Sequence, residues 1–290
     1  MTTSDEAAGT GVTTPSLLDL DRLERDLPAL REQYANARPF PHIVLDGLLR
    51  PGVVDRARCE FPAVDDTWTS YLHVNERKYG NTNADSWGPT LQAIARTLTS
   101  DRMLRILDAL TGHEGLLADW SMDGGGLHQS FAGGFLNVHS DFTSHHTERD
   151  WRRRVNLLLY LNREWPAEWG GDLELWATDM SRCEARIAPI ANRAVVFTTS
   201  EDSFHGFPVP TTCPPDVARQ SMALYYFEHQ DRPLTRSTDY RARPDDSVAT
   251  SAAIYVDKQV LHVYDVVKRR LHLPDDAASR VLRFVRRHAR

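Results

Sequence analysis

The sequence has few cysteines, no long apolar run and no excess of basic residues. Its three cysteines, Cys59, Cys183 and Cys213, lie far apart and form no Cys-x-x-Cys pair, which argues against a disulfide framework or a thiolate zinc site. No apolar stretch approaches the roughly 18 residues of a transmembrane helix. With 34 basic and 40 acidic residues the formal net charge is −6, so neither nucleic acid nor a membrane is an expected partner.

The remaining composition is that of a globular protein. The 290 residues are 41% hydrophobic and 26% charged, and a chain of this length can bury a core without disulfides or structural metals. The first residues lack the apolar segment of a signal peptide, and together with the cysteine pattern this predicts a cytoplasmic protein. We expect four segments, which are a disordered N-terminus at 1–15, a support region of helices and strands at 16–124, a β-rich core at 125–230, and a linker with C-terminal helices at 231–290.

The support region alternates between helical and strand patterns. Leucines at helical spacing predict a helix from Leu17 to about Tyr34, and His42–Asp46 has the pattern of a strand. A short helix is expected around 53–61. Residues 89–111 are again helical and end at Gly112. Residues 65–89 contain several aromatic residues without a clear period, so we expect an ordered loop there.

The core segment changes to short runs rich in apolar and β-branched residues. Such runs, separated by turn residues such as Trp169-Gly170-Gly171 and without intervening helical periods, are typical of a jelly roll or sandwich rather than a parallel sheet. Two C-terminal helices are predicted from apolar stripes at 256–267 and 278–285, and they provide a possible homodimer contact. The strands of the core are predicted at 134–138, 155–161, 172–176, 185–187, 194–198 and 221–227.

A possible metal site comes from His139-Ser140-Asp141 and the distant His205. Alternate residues of a strand point to the same face, so His139 and Asp141 can converge on one ion. Two imidazoles and one carboxylate form the facial triad of non-haem Fe(II) oxygenases. A His-x-Asp triplet alone is a weak signal, because a single histidine is more often a surface or core residue that is satisfied by a hydrogen bond.

The strand that begins at Arg219 provides a possible anion site. Arg219 and Ser221 share one face of this strand, and an arginine that points into a barrel needs an anion. A dicarboxylate that bridges Arg219 and the metal would explain both features. The alternative is an arginine at the strand's mouth, paired with a neighbouring Asp or solvated. Tyr160 shares a face with Asn156, and it either helps to bind the same carboxylate or is a core tyrosine whose hydroxyl is satisfied elsewhere.

Together these motifs resemble the double-stranded β-helix of the Fe(II)/2-oxoglutarate-dependent oxygenases, specifically the prolyl-4-hydroxylase-like branch. The resemblance implies an α+β fold with a mainly β, jelly-roll (cupin-like) core, with N-terminal helices packed on one sheet and helices at the C-terminus. Arg219 lies further from His205 than is usual in the family, which implies an enlarged turn around 211–216. The resemblance covers about 126–227 and rests on His139-Ser140-Asp141, Tyr160-Leu161-Asn162, Trp169 to Trp176, Asn192 to Phe197, the His205 segment and Arg219 to Phe227.

The same resemblance implies cofactors and site residues. Iron would be bound by His139, Asp141 and His205, with dioxygen and 2-oxoglutarate as co-substrates. The distal carboxylate of 2-oxoglutarate would be bound by Arg219 with help from Tyr160. Gln129 and Ser221 lie where further co-substrate contacts are expected. Related halogenases carry Gly or Ala in place of Asp141, so halogenation is not expected here.

The sequence predicts oxidation of an unactivated C–H bond, by default a hydroxylation, in a small molecule such as a specialised metabolite. One alternative is a protein or peptide side-chain hydroxylase, which would have an open groove beside the iron. Another is a non-catalytic cupin-like binding or sensor domain. The segments 75–78 and 151–154 could contact a polar substrate or be solvated surface, and His145-His146 is predicted to lie in a loop over the site without a ligand role.

Overall fold

The computed structural model describes residues 17–231 and 237–271. Four helices precede the main β region and one follows it, and the strands form a single curled antiparallel sheet of 13 strands. The helices are α1 (Leu20–Asn36), α2 (Val53–Cys59), α3 (Pro89–Leu98), α4 (Asp101–Thr111) and α5 (Val248–Leu271). The strands are β1 (His42–Asp46), β2 (Thr69–Leu72), β3 (Glu76–Asn81), β4 (Leu117–Ala118), β5 (Gly126–Ser130), β6 (Phe135–Ser140), β7 (Trp151–Tyr160), β8 (Leu173–Trp176), β9 (Cys183–Ile187), β10 (Arg193–Thr198), β11 (His205–Phe207), β12 (Arg219–His229) and β13 (Asp239–Tyr240).

The sheet curls so that its two halves face each other. Along the hydrogen-bonded path the strand order is β1-β10-β7-β12-β5-β3-β6-β11-β8-β9. Side chains from β7 and β10 in one half pack against side chains from β8 and β9 in the other, including Tyr160, Leu175 and Phe197. This packing of two antiparallel layers is the jelly roll that the sequence predicts.

The alternation along β7 separates a core face from a cavity face. Val155, Leu157 and Leu159 are fully buried in the main apolar core together with residues of the N-terminal helices, whereas Asn156 and Leu158 line an internal cavity. A strand with one face under helices and the other towards a cavity produces this two-residue alternation. The predicted fold class is therefore confirmed.

Local sequence signals explain the helix boundaries in the support region. The Asp19 side chain accepts a hydrogen bond from the backbone N–H of Arg22 at the start of α1. The Ser100 hydroxyl does the same for Met103 at the start of α4. Ser100 therefore splits the predicted 89–111 helix into two, because an N-cap residue leaves the helical conformation. Gly112, with φ of 79°, ends α4 in the left-handed conformation that glycine adopts without steric cost.

The prediction of a loop at 65–89 is wrong, because the segment contains strands β2 and β3. Their inward-facing positions include Glu76 and Lys78, which border a polar cavity. A strand that faces a polar cavity lacks the apolar alternation on which strand prediction depends.

At the two ends of the chain, most predictions lie outside the described residues. These are the disordered segment at 1–15 and the second C-terminal helix. The first C-terminal helix is α5, and the homodimer contact and the four segment boundaries stay predictions. Over 17–231 and 237–271, none of the helices combines the length and the apolar character needed to cross a bilayer.

Candidate metal and co-substrate site

Three side chains that the sequence singles out meet at one point. His139 lies on β6, Asp141 directly follows that strand, and His205 begins β11, where it is the cross-strand partner of His139. One possible ligand atom from each of the three residues lies within 4.8 Å of the other two. The Nε2 atoms of both histidines are 3.5 Å from a carboxylate oxygen of Asp141. This spacing allows a single ion to bind all three.

The backbone fixes the orientation of both imidazoles. Nδ1 of His139 lies 2.9 Å from the carbonyl oxygen of Asn137, and Nδ1 of His205 lies 2.9 Å from that of Ser203. A ring nitrogen that faces a carbonyl must carry the proton and donate it, so the lone pair is on Nε2. Burial lowers the pKa of His205 to about 4, which keeps this ring neutral at physiological pH and able to bind a metal.

Two neighbours hold the carboxylate of Asp141. Asn156 Nδ2 donates to Oδ2 at 2.7 Å, and Arg153 Nη1 lies 3.4 Å from Oδ1. Arg153 Nε also donates to Asn156 Oδ1, and its guanidinium lies 3.1 Å from the centroid of the Tyr225 ring. Although burial raises the pKa of Asp141, Arg153 and the two imidazoles hold it well below the usual value. Asp141 is therefore ionised and fixed in orientation.

Arg153 is a functional residue that sequence reasoning missed. The sequence leaves 151–154 as either solvated surface or a substrate contact. In the structure, however, Arg153 is only 1% exposed. The single available signal is its position in β7, three residues before Asn156. The sequence does not identify Asp141 as the partner of Arg153, because the two residues come together only in the folded protein.

Arg219 lies at one end of the same cavity. Its Nε donates to the carbonyl of Gly171 at 2.7 Å, and its Nη2 donates to the Tyr160 hydroxyl at 3.2 Å. The Phe207 ring packs against the guanidinium, 4.2 Å from Cζ. Within the described part of the chain, no carboxylate forms an ion pair with Arg219. The structure thus places Arg219 and Tyr160 together, with guanidinium N–H groups left for an anion.

Gly171 is required at this position by close packing. Its φ is +76°, and a Cβ atom there would lie 2.9 Å from Thr211 and 3.2 Å from the Arg219 side chain. Glycine therefore allows the backbone carbonyl to approach the guanidinium. The turn predicted around 211–216 packs here and connects β11 to β12.

The expectation for Gln129 is wrong, because its side chain lies on the other face of β5. Its Nε2 donates to the carbonyl of Pro62 at 3.2 Å, whereas its neighbours His128 and Ser130 line the cavity with Ser221. A shift of one residue in register reverses the face of every side chain in a strand. Burial and the nearby Lys78 lower the pKa of His128 to about 3, so this cavity-facing imidazole is neutral.

The cavity has a volume of about 520 Å³ and extends from Arg219, past the three possible ligands, to α5. The half of the cavity that lies away from Arg219, towards α5, is called the far half, and it is strongly polar. The Glu76 carboxylate is 2.9 Å from Nε2 of His73 and 3.0 Å from Nζ of Lys78, and Asp257 on α5 is 2.9 Å from Nδ1 of the same histidine. Of the segment 75–78, for which the sequence leaves both a substrate contact and solvated surface open, Glu76 and Lys78 border the cavity.

Comparison with known protein families supports the metal and co-substrate chemistry of this site. Residues 125–227 match the model of the 2OG-Fe(II) oxygenase superfamily. No curated protein sequence matches the chain.

Solved structures share the fold at low sequence identity. A prolyl hydroxylase from Trichoplax adhaerens, in complex with a hypoxia inducible factor peptide fragment, is 18% identical, with a TM-score of 0.51 over 72% of this chain and 91% of that chain. A Pseudomonas putida prolyl-4-hydroxylase is 16% identical, with a TM-score of 0.47 over 69% and 99% of the two chains. HygX from Streptomyces hygroscopicus, with nickel, 2-oxoglutarate and hygromycin B bound, is 13% identical, with a TM-score of 0.44 over 70% and 86%.

Residues 125–227 are thus similar to the 2OG-Fe(II) oxygenase superfamily. This match supports an enzyme that uses Fe(II) as cofactor and 2-oxoglutarate and dioxygen as co-substrates. It disfavours the alternative of a non-catalytic cupin-like binding domain.

Proposed function

We propose that this oxygenase binds iron through His139, Asp141 and His205 and oxidises, by default hydroxylates, an unactivated C–H bond of a small molecule. The observation that carries the proposal is the convergence of these three side chains in one cavity with a guanidinium at its end. The bound metal and co-substrate together supply the oxidising power, and the protein supplies ligand geometry, a dry pocket and substrate placement.

The three side chains fit a divalent iron. Two neutral imidazoles and one carboxylate are the ligand set of non-haem Fe(II) sites, which leave the remaining positions open. The backbone carbonyls behind both rings keep Nε2 available, and Asn156 with Arg153 orients Asp141. Such support of the ligands by their neighbours typically raises metal affinity.

The opposite end of the cavity fits a carboxylate. Arg219 is held in place by Gly171 and Tyr160, and its remaining N–H groups can bind a planar carboxylate through two parallel hydrogen bonds. We assign the distal carboxylate of 2-oxoglutarate to Arg219 and Tyr160. Ser221 borders the same space and is proposed as a further polar contact.

A small substrate is favoured because helix α5 borders the polar far half of the cavity. Strand β2 lines one side of it, and α5 contributes Asp257 and Val260. The carboxylate of Asp257 accepts a hydrogen bond from Asn75 Nδ2 at 2.6 Å, which holds α5 against the turn after β2. A peptide hydroxylase, the remaining alternative, would need an open groove where α5 lies.

The decisive measurement compares His139→Ala with wild type in metal binding and in succinate formation. Because His139 supplies one of three ligands, we expect the variant to lose Co(II) binding in calorimetry and to form no succinate with Fe(II) and 2-oxoglutarate. His229→Ala is the matched control, since this histidine pairs with Asp150 at the surface and is 67% exposed. Retention of Co(II) affinity in His139→Ala would remove His139 from the metal site.

A further inference from the structure

A further histidine, His146, faces the cavity from the loop after Asp141. His146 Nδ1 lies 2.7 and 2.8 Å from the two carboxylate oxygens of Asp123, and its backbone N–H donates to the same carboxylate at 2.9 Å. Its ring lies against Phe142, with centroids 4.9 Å apart. Asp123, His146 and Phe142 all line the cavity. The imidazole is therefore held from two sides before any substrate binds.

The neighbouring His145 has a different, structural role. It is 4% exposed, and its Nδ1 accepts hydrogen bonds from the backbone N–H groups of Thr147 and Glu148 at 3.2 and 3.0 Å. Its Nε2 lies 3.3 Å from Asp119. Both ring nitrogens are thus used within the protein, and the ring ties the loop after β6 to the loop before β5.

The hydrogen bond to Asp123 determines whether Nε2 of His146 is a hydrogen-bond donor or acceptor. Although burial raises the pKa of Asp123, the hydrogen bonds from His146 lower it overall, so this carboxylate is ionised and can only accept. Nδ1 of His146 must then carry the proton, and in the neutral ring Nε2 is an acceptor. Within the described residues, no protein group satisfies Nε2, although the His146 side chain is only 23% exposed.

We propose that the His146–Asp123 pair is a substrate-binding element whose Nε2 accepts a hydrogen bond from a hydroxyl or amine group of the substrate. This inference rests on the proposed function, because it names the substrate class of the same cavity. A pre-positioned acceptor selects for a donor on the ligand, since leaving it unpaired on closure costs free energy.

The charges of the far half of the cavity point to the same substrate class. Glu76, Asp123 and Asp257 border it with their carboxylates. Lys78 is paired with Glu76 at 3.0 Å, His73 lies 2.9 Å from both Glu76 and Asp257, and the Arg153 guanidinium is directed to Asp141. Even with a charged His73, the three carboxylates outnumber His73 and Lys78, which disfavours an acidic substrate. A polar molecule with hydroxyl or amine groups complements this surface.

The first experiment determines the tautomer of His146 without any substrate. Long-range ¹H–¹⁵N spectra of the Zn(II)- and 2-oxoglutarate-loaded protein should show the proton on Nδ1 of His146, and Asp123→Asn should weaken that preference. A proton on Nε2 of the neutral ring in wild type would overturn the proposal, because the ring could then not accept from the substrate.

The second experiment uses amino sugars and monosaccharides as probes, each paired with the deoxy counterpart in which one amine or one hydroxyl is replaced by hydrogen. For a compound that stimulates succinate formation, removal of the donor should raise KM roughly 10- to 100-fold in wild type. In His146→Leu this ratio should fall to about 1, while His146→Gln, which keeps an acceptor, should retain part of it. Pairs that differ in an amine and pairs that differ in a hydroxyl distinguish the two donors.

The control variant is His229→Leu, which removes a histidine from an Asp pair at the surface and should leave the ratio unchanged. An unchanged ratio in His146→Leu would overturn the proposal, as would stimulation confined to compounds without a donor. Failure of the proposed function has a different signature, namely Co(II) binding that survives His139→Ala. The two ideas can therefore fail separately.

Discussion

Replacing Arg219 by methionine isolates the carboxylate-binding end of the cavity. The substitution keeps an unbranched apolar side chain and removes the guanidinium, which packs against Phe207 and is hydrogen-bonded to Tyr160 and Gly171. Removing one partner of a buried, hydrogen-bonded charge pair costs about 2–5 kcal/mol. Taking about 3 kcal/mol, the Kd for 2-oxoglutarate should rise ~150-fold. Metal affinity should not change, because Arg219 touches none of the three proposed ligands.

Calorimetry on the Mn(II)-loaded protein measures this effect without turnover. Pyruvate provides an internal control, because it keeps the 2-oxo acid group but lacks the distal carboxylate, and its affinity should be the same in wild type and Arg219→Met. Arg182→Met is the matched protein control, since Arg182 is 72% exposed and pairs with Glu184. A change below threefold for 2-oxoglutarate, or an equal loss for pyruvate, would refute the assignment of Arg219.

Three further predictions concern the neighbours of the site. Tyr160→Phe removes one hydrogen bond near Arg219 and should weaken 2-oxoglutarate binding by about 1 kcal/mol, or ~5-fold, in the same calorimetric assay. Arg153→Met removes the buried cation beside Asp141 and should weaken Co(II) binding ~10-fold, whereas Arg153→Lys should lose less; equal affinity in all three proteins would contradict the positioning role. Two carboxylates raise the pKa of His73 although burial alone would lower it, so its stabilisation is fully present below the ordinary value of 6.5 and is lost as pH rises through the raised pKa. The difference in unfolding free energy between wild type and His73→Asn, measured in urea, should therefore shrink as the pH rises above 6.5.

The fold could be predicted because its strands follow simple two-residue alternation. In β7, Val155, Leu157 and Leu159 alternate with polar and cavity-facing residues, and the pattern indicates which face packs under helices. The same logic failed for β3, where Glu76 and Lys78 occupy inward positions. Hydrophobic alternation predicts a strand only when the inward face is apolar. Strands that border a polar cavity are therefore not predicted from this pattern.

The proposed metal ligands could be found from sequence because their type and order carry the chemistry. His139 lies on β6, Asp141 directly follows this strand, and His205 lies on the strand that pairs with β6. The supporting contacts could not be found, because the partner of each group is fixed only in three dimensions. Asp123 and His146, for example, are 23 residues apart. In β5, His128 faces the cavity and Gln129 faces away from it, and the sequence contains no residue that indicates which of the two alternating positions points inward.

Arg219 also connects function to stability. Among the described residues, its buried guanidinium has a carbonyl and a phenol as hydrogen-bond partners but no carboxylate. A buried charge without a counter-ion destabilises the folded state. Arg219→Met should therefore unfold at the same or a higher temperature than wild type when 2-oxoglutarate is absent. With Mn(II) and saturating 2-oxoglutarate the order should reverse, because ligand binding stabilises only the form that binds it. Thermal unfolding in both conditions measures this directly, and a variant less stable than wild type by the same amount in both would mean that Arg219 serves the fold rather than the ligand.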